Sequence, residues 1–205
     1  MIISVASYKG GVAKTTTAIH LAAFLQKAAP TLLIDGDIIR AATRWSHRSE
    51  NGFPFKIVDE AQAVMAARDY INNGHIVIDT EANPSRVDFT EVAKGCDLLV
   101  IPAVPEATAT DGLTYTLKAL RDTGTSRYRV LLTKVRPKPN RDADELRRNL
   151  TVENIPVFTT TIPNLIAFDK ASAHGVPVYD APDPYAERAW EAYQSAGKEI
   201  INGQQ

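Results

Sequence analysis

Seven short apolar runs, separated by longer stretches of helical periodicity, limit what this chain can become. The runs lie near Ile2–Ala6, Thr31–Ile34, Phe55–Val58, Ile76–Ile78, Leu98–Ile101, Arg129–Thr133 and Val157–Thr159. They are rich in β-branched residues or leucine, and most are bracketed by polar residues or glycine. Between them, Thr15–Lys27 places Ala18, Leu21, Ala22 and Leu25 at three- and four-residue steps, the pattern of an amphipathic helix lying on a sheet. Asp59–Asn73, Thr108–Asp122, Asp142–Val152 and Tyr185–Ile201 continue the helical series, with Gly74 placed to end its helix. Such alternation predicts an α/β fold, a doubly wound and mostly parallel sheet with helices on both faces.

The chain has 205 residues and contains neither an internal repeat nor a low-complexity linker, so residues 1–205 read as one domain. The 135–140 and 181–184 stretches, rich in proline, read as surface loops. Lysine and arginine number 23 against 24 acidic residues, a net charge of −1, which argues against coating nucleic acid by overall positive charge. A local basic patch remains compatible with that balance. The lone Cys96, set among apolar residues, excludes an internal disulfide and reads as a buried structural thiol. With four dispersed histidines it leaves no metal-ligand spacing of the zinc type. No run of about 18 apolar residues appears, and Met1 opens directly into a strand pattern, so a soluble cytoplasmic protein is expected.

The stretch "SVASYKGGVAKTT", Ser4 to Thr16, runs from strand through glycines into helix, the setting in which backbone N–H groups converge on phosphate. The standard phosphate-loop spacing requires glycine where this chain has Tyr8 and Ala13. Gly10 and Gly11 still allow close approach of an anion, whereas Ala13 needs an ordinary φ or a strain of about 1 kcal/mol. Lys14 and Thr15 keep the ammonium for the β/γ phosphates and the hydroxyl for Mg²⁺, with Thr16 adding a further contact. Taken alone, these residues also fit an ordinary βα turn with a solvated lysine. "LLIDGD" ends a strand in Asp35 and Asp37, which extended geometry points to one side; a helix cap would explain one of them. "HIVID" puts Asp79 at the carboxyl end of another strand, where open α/β sheets bind ligands.

"KGGVAKTT", Lys9 to Thr16, resembles the deviant Walker A motif of the ParA/MinD family of ATPases, a branch of the P-loop NTPase fold. The resemblance implies ATP and Mg²⁺ as ligands, bound by Lys9, Gly10, Gly11, Val12, Ala13, Lys14, Thr15 and Thr16. It further implies a homodimer that sandwiches ATP, with Lys9 reaching the partner's nucleotide, which would account for two lysines. Ala13 departs from the family's usual glycine. By the same resemblance Asp37 orients the attacking water and also serves the metal. Asp79 looks like the Walker B carboxylate, serving Mg²⁺ with Thr15. Lys9, Lys14 and Asp37 are then the catalytic set. Glu81 is an added carboxylate beside Asp79, read as solvated surface or as a modifier near the metal.

Likeness to the family spans nearly the whole chain. Asp111 falls where relatives carry an aspartate near the interface lysine, although a helix cap explains it equally. Adenine contacts are expected around Thr133–Lys134 and Thr161–Asn164. ParA-like relatives bind nonspecific DNA as ATP dimers and answer to an adaptor of ParB or McdB type, so a nucleoid-associated, cargo-positioning ATPase is expected. Lys134, Arg136, Lys138, Arg141, Arg147 and Arg148 exceed nearby acids by three and could supply phosphate contacts, or form a merely solvated face. Arg40, Arg44 and Arg48 step along a possible second basic helix face. The closing "AGKEIINGQQ" makes a poor membrane anchor, against a MinD-like membrane role. The competing readings are a small-molecule ATP-dependent ligase resembling dethiobiotin synthetase and a MinD-like membrane-associated ATPase.

Overall fold

The computed structural model describes residues 1–203 except Asn51 and Lys138, with only the backbone described for residues 107–110. The first half runs β1 (Ile2–Val5), α1 (Lys14–Leu25), β2 (Thr31–Gly36), α2 (Ala41–Ser46), β3 (Lys56–Asp59), α3 (Glu60–Ala67) and β4 (His75–Thr80). The second runs α4 (Arg86–Gly95), β5 (Leu98–Ala103), α5 (Ala107–Thr123), β6 (Tyr128–Val135), α6 (Arg141–Val152), β7 (Val157–Pro163), α7 (Ile166–His174) and α8 (Ala186–Asn202). A single 3₁₀ turn, Val178–Asp180, separates the last two helices.

All seven strands form one sheet of order β3-β2-β4-β1-β5-β6-β7, and every pairing is parallel, beyond the mostly parallel sheet expected. Alternation along the strands explains the double winding. Ile3, Val5, Leu33, Val77, Val100 and Phe158 pack on one face with α1, α7 and α8, whereas Leu99, Ile101, Val130 and Leu132 face α4, α5 and α6. Each fully buried aliphatic side chain of this kind contributes about 1.5–3 kcal/mol. Cys96 lies in the second core, a buried thiol whose Sγ points to the Ala93 carbonyl.

β1 is central, and strand order reverses around it, so the crevice at its carboxyl end is the natural ligand site of such a sheet. In register, Val5 sits beside Asp79 and Asp79 beside Asp35. Asp79 is thereby brought next to the loop that leaves β1, with Asp35 one strand further out.

Three expectations need correction. The helix expected to run to Asn73 ends at Ala67 and gives way to turns, so Gly74 does not end it. Gly74 is required by close approach instead: a Cβ there would lie 2.4 Å from the Pro30 carbonyl oxygen. Helices α4 and α7 were not expected. The third concerns Asp111, which lies inside α5, four residues past its first, and caps nothing.

At the far edge α8 closes the sheet. Glu199 accepts hydrogen bonds from the backbone N–H groups of Thr159 and Thr160 at 2.9 and 2.7 Å and from the Thr160 hydroxyl at 2.6 Å. Tyr193, Trp190 and Ile200 of the same helix are buried. Among the described residues, no helix is long and apolar enough to cross a membrane.

Candidate functional site

The loop between β1 and α1 holds its shape through two hydrogen bonds. Gly11 and Ala13 both adopt left-handed backbone, with φ of 75° and 69°. Glycine enters that region freely; alanine pays roughly 1–2 kcal/mol, so the strained alternative anticipated for Ala13 is the one realised. The Thr133 hydroxyl donates to the Val12 carbonyl at 2.9 Å, and the Thr17 N–H to the Ala13 carbonyl at 2.9 Å, which fixes the loop on both sides of the strain. Thr133 is fully buried and braces the loop through its bond to Val12. Tyr8 has no need of glycine's freedom, because its φ is negative. Its ring turns away from the loop and packs 4.9 Å from Phe89 and 4.6 Å from Tyr115.

A cleft of about 450 Å³ opens over this loop. Gly10, Gly11, Ala13, Lys14, Thr15, Thr16 and Asp37 line it, with Lys134, Pro163, Asn164, Leu165 and Phe168 at its other wall. Of the Thr133–Lys134 and Thr161–Asn164 segments in which adenine contacts are expected, Lys134 and residues 162–164 line the cleft. Val12 turns inward onto Val104, leaving only its backbone to the site. Lys9 is exposed and does not line this cleft.

Among the described residues, no acceptor is paired with the N–H groups of Gly10, Gly11, Val12 or Ala13. Together with the unsatisfied first N–H groups of α1, they form a set of donors that suits a polyphosphate. Lys14 is only 7% exposed, and its ammonium rests on the Lys9 carbonyl at 3.3 Å. Burial lowers its pKa, which the charges of Asp79 and Asp37 oppose. An ammonium held this way keeps its charge close to an anion.

The two aspartates at the end of β2, Asp35 within it and Asp37 just past it, divide their tasks. Asp35 is fully buried and accepts from the Thr43 N–H and hydroxyl at 2.8 and 2.7 Å, tying β2 to α2. Asp37 accepts the Ile39 N–H at 2.9 Å and faces the cleft. Asp79 is fully buried, and neither of its carboxylate oxygens has a hydrogen-bond partner of regular geometry. Its pKa is pushed up to about 7, chiefly by burial; the Thr15 hydroxyl lowers it, Asp35 raises it and Lys14 lowers it. It borders a neighbouring cavity of about 400 Å³ together with Glu81, rather than the cleft over the loop. Its register beside Val5, the last residue of β1, places it next to the start of the phosphate loop. An orphaned carboxylate beside a helix-terminal threonine fits a hard divalent cation with oxygen ligands. No group of three or more His, Cys, Asp or Glu residues could hold a metal among the described residues, so any such cation would need threonine or phosphate oxygens as well.

A family model described as the CobQ/CobB/MinD/ParA nucleotide binding domain matches residues 3–178. The chain belongs to this family. Over 202 residues it is 30% identical to the maintenance of carboxysome distribution protein A of Gloeobacter kilaueensis, covering 97% of this chain and 93% of that one. A putative plasmid partition protein of Borrelia burgdorferi B31, solved with AMPPNP, superposes with a TM-score of 0.70 at 21% identity, over 100% of this chain and 99% of that one. Apo McdA of Cyanothece gives a TM-score of 0.72 at 16% identity, over 95% and 98%. These last two likenesses establish the P-loop fold of the CobQ/CobB/MinD/ParA family.

Two residues central to the site were not singled out from sequence. His20 of α1 is fully buried, with Nδ1 2.6 Å from the Thr16 carbonyl and Nε2 accepting the Val178 N–H at 3.0 Å. Tyr193 shares a 3.1 Å hydroxyl contact with Thr17 and stacks on His20 at 4.8 Å. Only a polar residue on the buried face of a helix hinted at either.

The basic surfaces differ from expectation. Helix α2 spans only Ala41–Ser46, so Arg40 and Arg48 lie outside it. The Arg40 guanidinium donates to the Asp35 carbonyl, and that of Arg48 to Ser172, which dismantles the proposed face. In the other group, Lys134 lines the cleft, Arg136 pairs with Glu106, and Arg147 donates to the Phe158 carbonyl. Lys138 lies outside the described residues. Arg141 and Arg148 are exposed, with no ion pair among the described residues.

Proposed function

We propose that this chain is a Mg²⁺-dependent ATPase of one domain, residues 1–205, that closes into a homodimer around ATP and positions cargo over nonspecific DNA. The observation that carries it is the junction of unpaired loop N–H donors and the buried Lys14 ammonium in one cleft, with the orphaned Asp79 carboxylate behind Thr15 and Lys14 of the same loop. Similarity to a carboxysome-distribution protein over nearly the full length supports the positioning role.

In this reading the loop N–H groups and Lys14 bind the β and γ phosphates and offset the charge that develops on transfer. Thr15 and Asp79 would hold Mg²⁺, assisted by Asp37, and the bound ion supplies further neutralisation of phosphate charge. Asp37 faces the cleft and orients water for in-line attack. Lys9 stands outside its own cleft and serves the nucleotide of a second copy. An adaptor of ParB or McdB type stimulates hydrolysis and release.

DNA contact falls to Arg141 and Arg148, which gives four arginines per dimer. Four phosphate contacts predict log affinity falling against log salt with a slope of about −3.6. The test is retention of purified protein on random-sequence DNA across a salt series, with Mg²⁺ and either ATP or ADP. ATP should promote both dimer formation and retention, and Lys9→Ala should abolish both while preserving nucleotide binding. Retention that ignores the nucleotide, or none even at low salt, refutes the positioning role.

A further inference from the structure

Helix α5 meets the nucleotide loop beside Lys9. The Thr116 hydroxyl accepts the Tyr8 N–H at 3.3 Å and donates to the Gly112 carbonyl at 2.8 Å, locking this turn of the helix to the start of the loop. Gly112 presents its bare Cα to the Lys9 side chain. A Cβ at position 112 would lie 2.7 Å from Lys9 Cβ and 3.2 Å from both Cγ and Cδ. Carbons do not approach to 2.7 Å without something moving, and Cβ and Cγ are the least movable part of a lysine. The backbone of Gly112 is not left-handed, so conformational freedom does not explain a glycine in mid-helix, where it weakens the helix relative to alanine. Packing does.

We propose that Gly112 is a positioning residue for Lys9. The notch left by its missing side chain receives the lysine stem along α5 and sets the direction in which the ammonium leaves the loop. That direction is away from its own cleft, which Lys9 does not line, while Lys14 serves the phosphate side. The functional consequence rests on the dimer reading above: a displaced stem no longer delivers its ammonium to the second copy.

The test is a double-mutant cycle with two readouts, thermal unfolding and ATP-dependent self-association. Alanine favours helix over glycine, so without the contact Gly112→Ala would raise Tm. The notch predicts that Gly112→Ala lowers Tm in the Lys9 parent and raises it in Lys9→Gly, where no side chain remains to collide. It also predicts fluorescent ATP-analogue affinity within twofold of the parent and an ATP-induced dimer fraction, by sedimentation velocity, at least fivefold lower. An equal Tm change in both backgrounds overturns the contact, and an unchanged dimer fraction overturns its positioning role. Should Gly112→Ala fail to fold alone, folding restored in the Lys9→Gly background supports the notch, and continued failure overturns it. If the parent protein stays monomeric with Mg²⁺ and ATP, the dimer reading fails separately, and the thermal cycle still decides the contact.

Discussion

Replacing His20 tests the packing beneath the nucleotide loop. Because Nε2 accepts the Val178 N–H, the single proton of the neutral ring sits on Nδ1 and is donated to the Thr16 carbonyl. A second proton would go onto Nε2, face an N–H donor, and place a charge inside a shell formed by Trp45, Phe168, Trp190 and Tyr193. Burial accordingly lowers the pKa from 6.5 to about 4, with the Thr16 carbonyl opposing. The folded value lies below the unfolded one, so the unfolded chain binds more protons between them. The stabilisation is therefore complete above about pH 6.5 and is lost as pH falls toward 4. At 1.36 kcal/mol per unit the full gap is worth about 3.4 kcal/mol, of which about 2.5 kcal/mol disappears between pH 7.5 and 4.5. His20→Gln cannot titrate. Urea unfolding of both proteins across that range, without nucleotide, should show the stability advantage of His20 shrinking by about 2.5 kcal/mol, most steeply near pH 5. Asp79, with the opposite sign, is common to both and cancels in the difference. An advantage constant to within about 0.5 kcal/mol would refute a neutral, doubly hydrogen-bonded ring.

Two further outcomes follow from the loop. Asp79 has a folded pKa near 7, above its unfolded value, so without ligand it stabilises the fold at acid pH and loses that contribution as pH rises through 7. A cation needs the ionised form, so Mg²⁺-dependent nucleotide affinity measured by titration should be about tenfold weaker at pH 6 than at pH 8, and Asp79→Asn should flatten the profile. Ala13→Gly relieves the left-handed strain but loosens the unfolded chain, so a net gain of about 0.5 kcal/mol should appear as a small rise in Tm with nucleotide binding retained. A fall in Tm would show that the Ala13 side chain contributes packing that outweighs its strain.

The sheet was legible because its strands are nearly continuous apolar runs, and only strands buried on both faces are written that way. Helices α4 and α7 were not, since each buries very little: Phe89 and Ala93 in one, Ala167 and Ala171 in the other, too sparse for a periodic stripe. Their ends did carry signals. Ser85 accepts the Asp88 N–H as a cap, and Gly175 ends α7 at φ 70°. Within the site, Lys14, Thr15 and Asp37 could be read because their chemistry is local to one loop or one strand end. Thr133 and His20 could not, because their partners lie 121 and 158 residues away along the chain. Arg40 and Arg48 misled for the related reason that charge in a sequence does not reveal whether a carbonyl of the same chain has already claimed it.

The clasp of Glu199 over Thr159 and Thr160 bears on how copies of this molecule could ever meet. With those two amides satisfied by a carboxylate, that margin of the sheet has little left to offer an incoming strand; the opposite margin, β3, is four residues long and begins and ends in a charged side chain. Lateral extension into a continuous ribbon is thus discouraged at both borders. In the dimer proposed above, self-association uses instead the rim from which the phosphate loop projects, which would make meeting another copy and reading the nucleotide a single event.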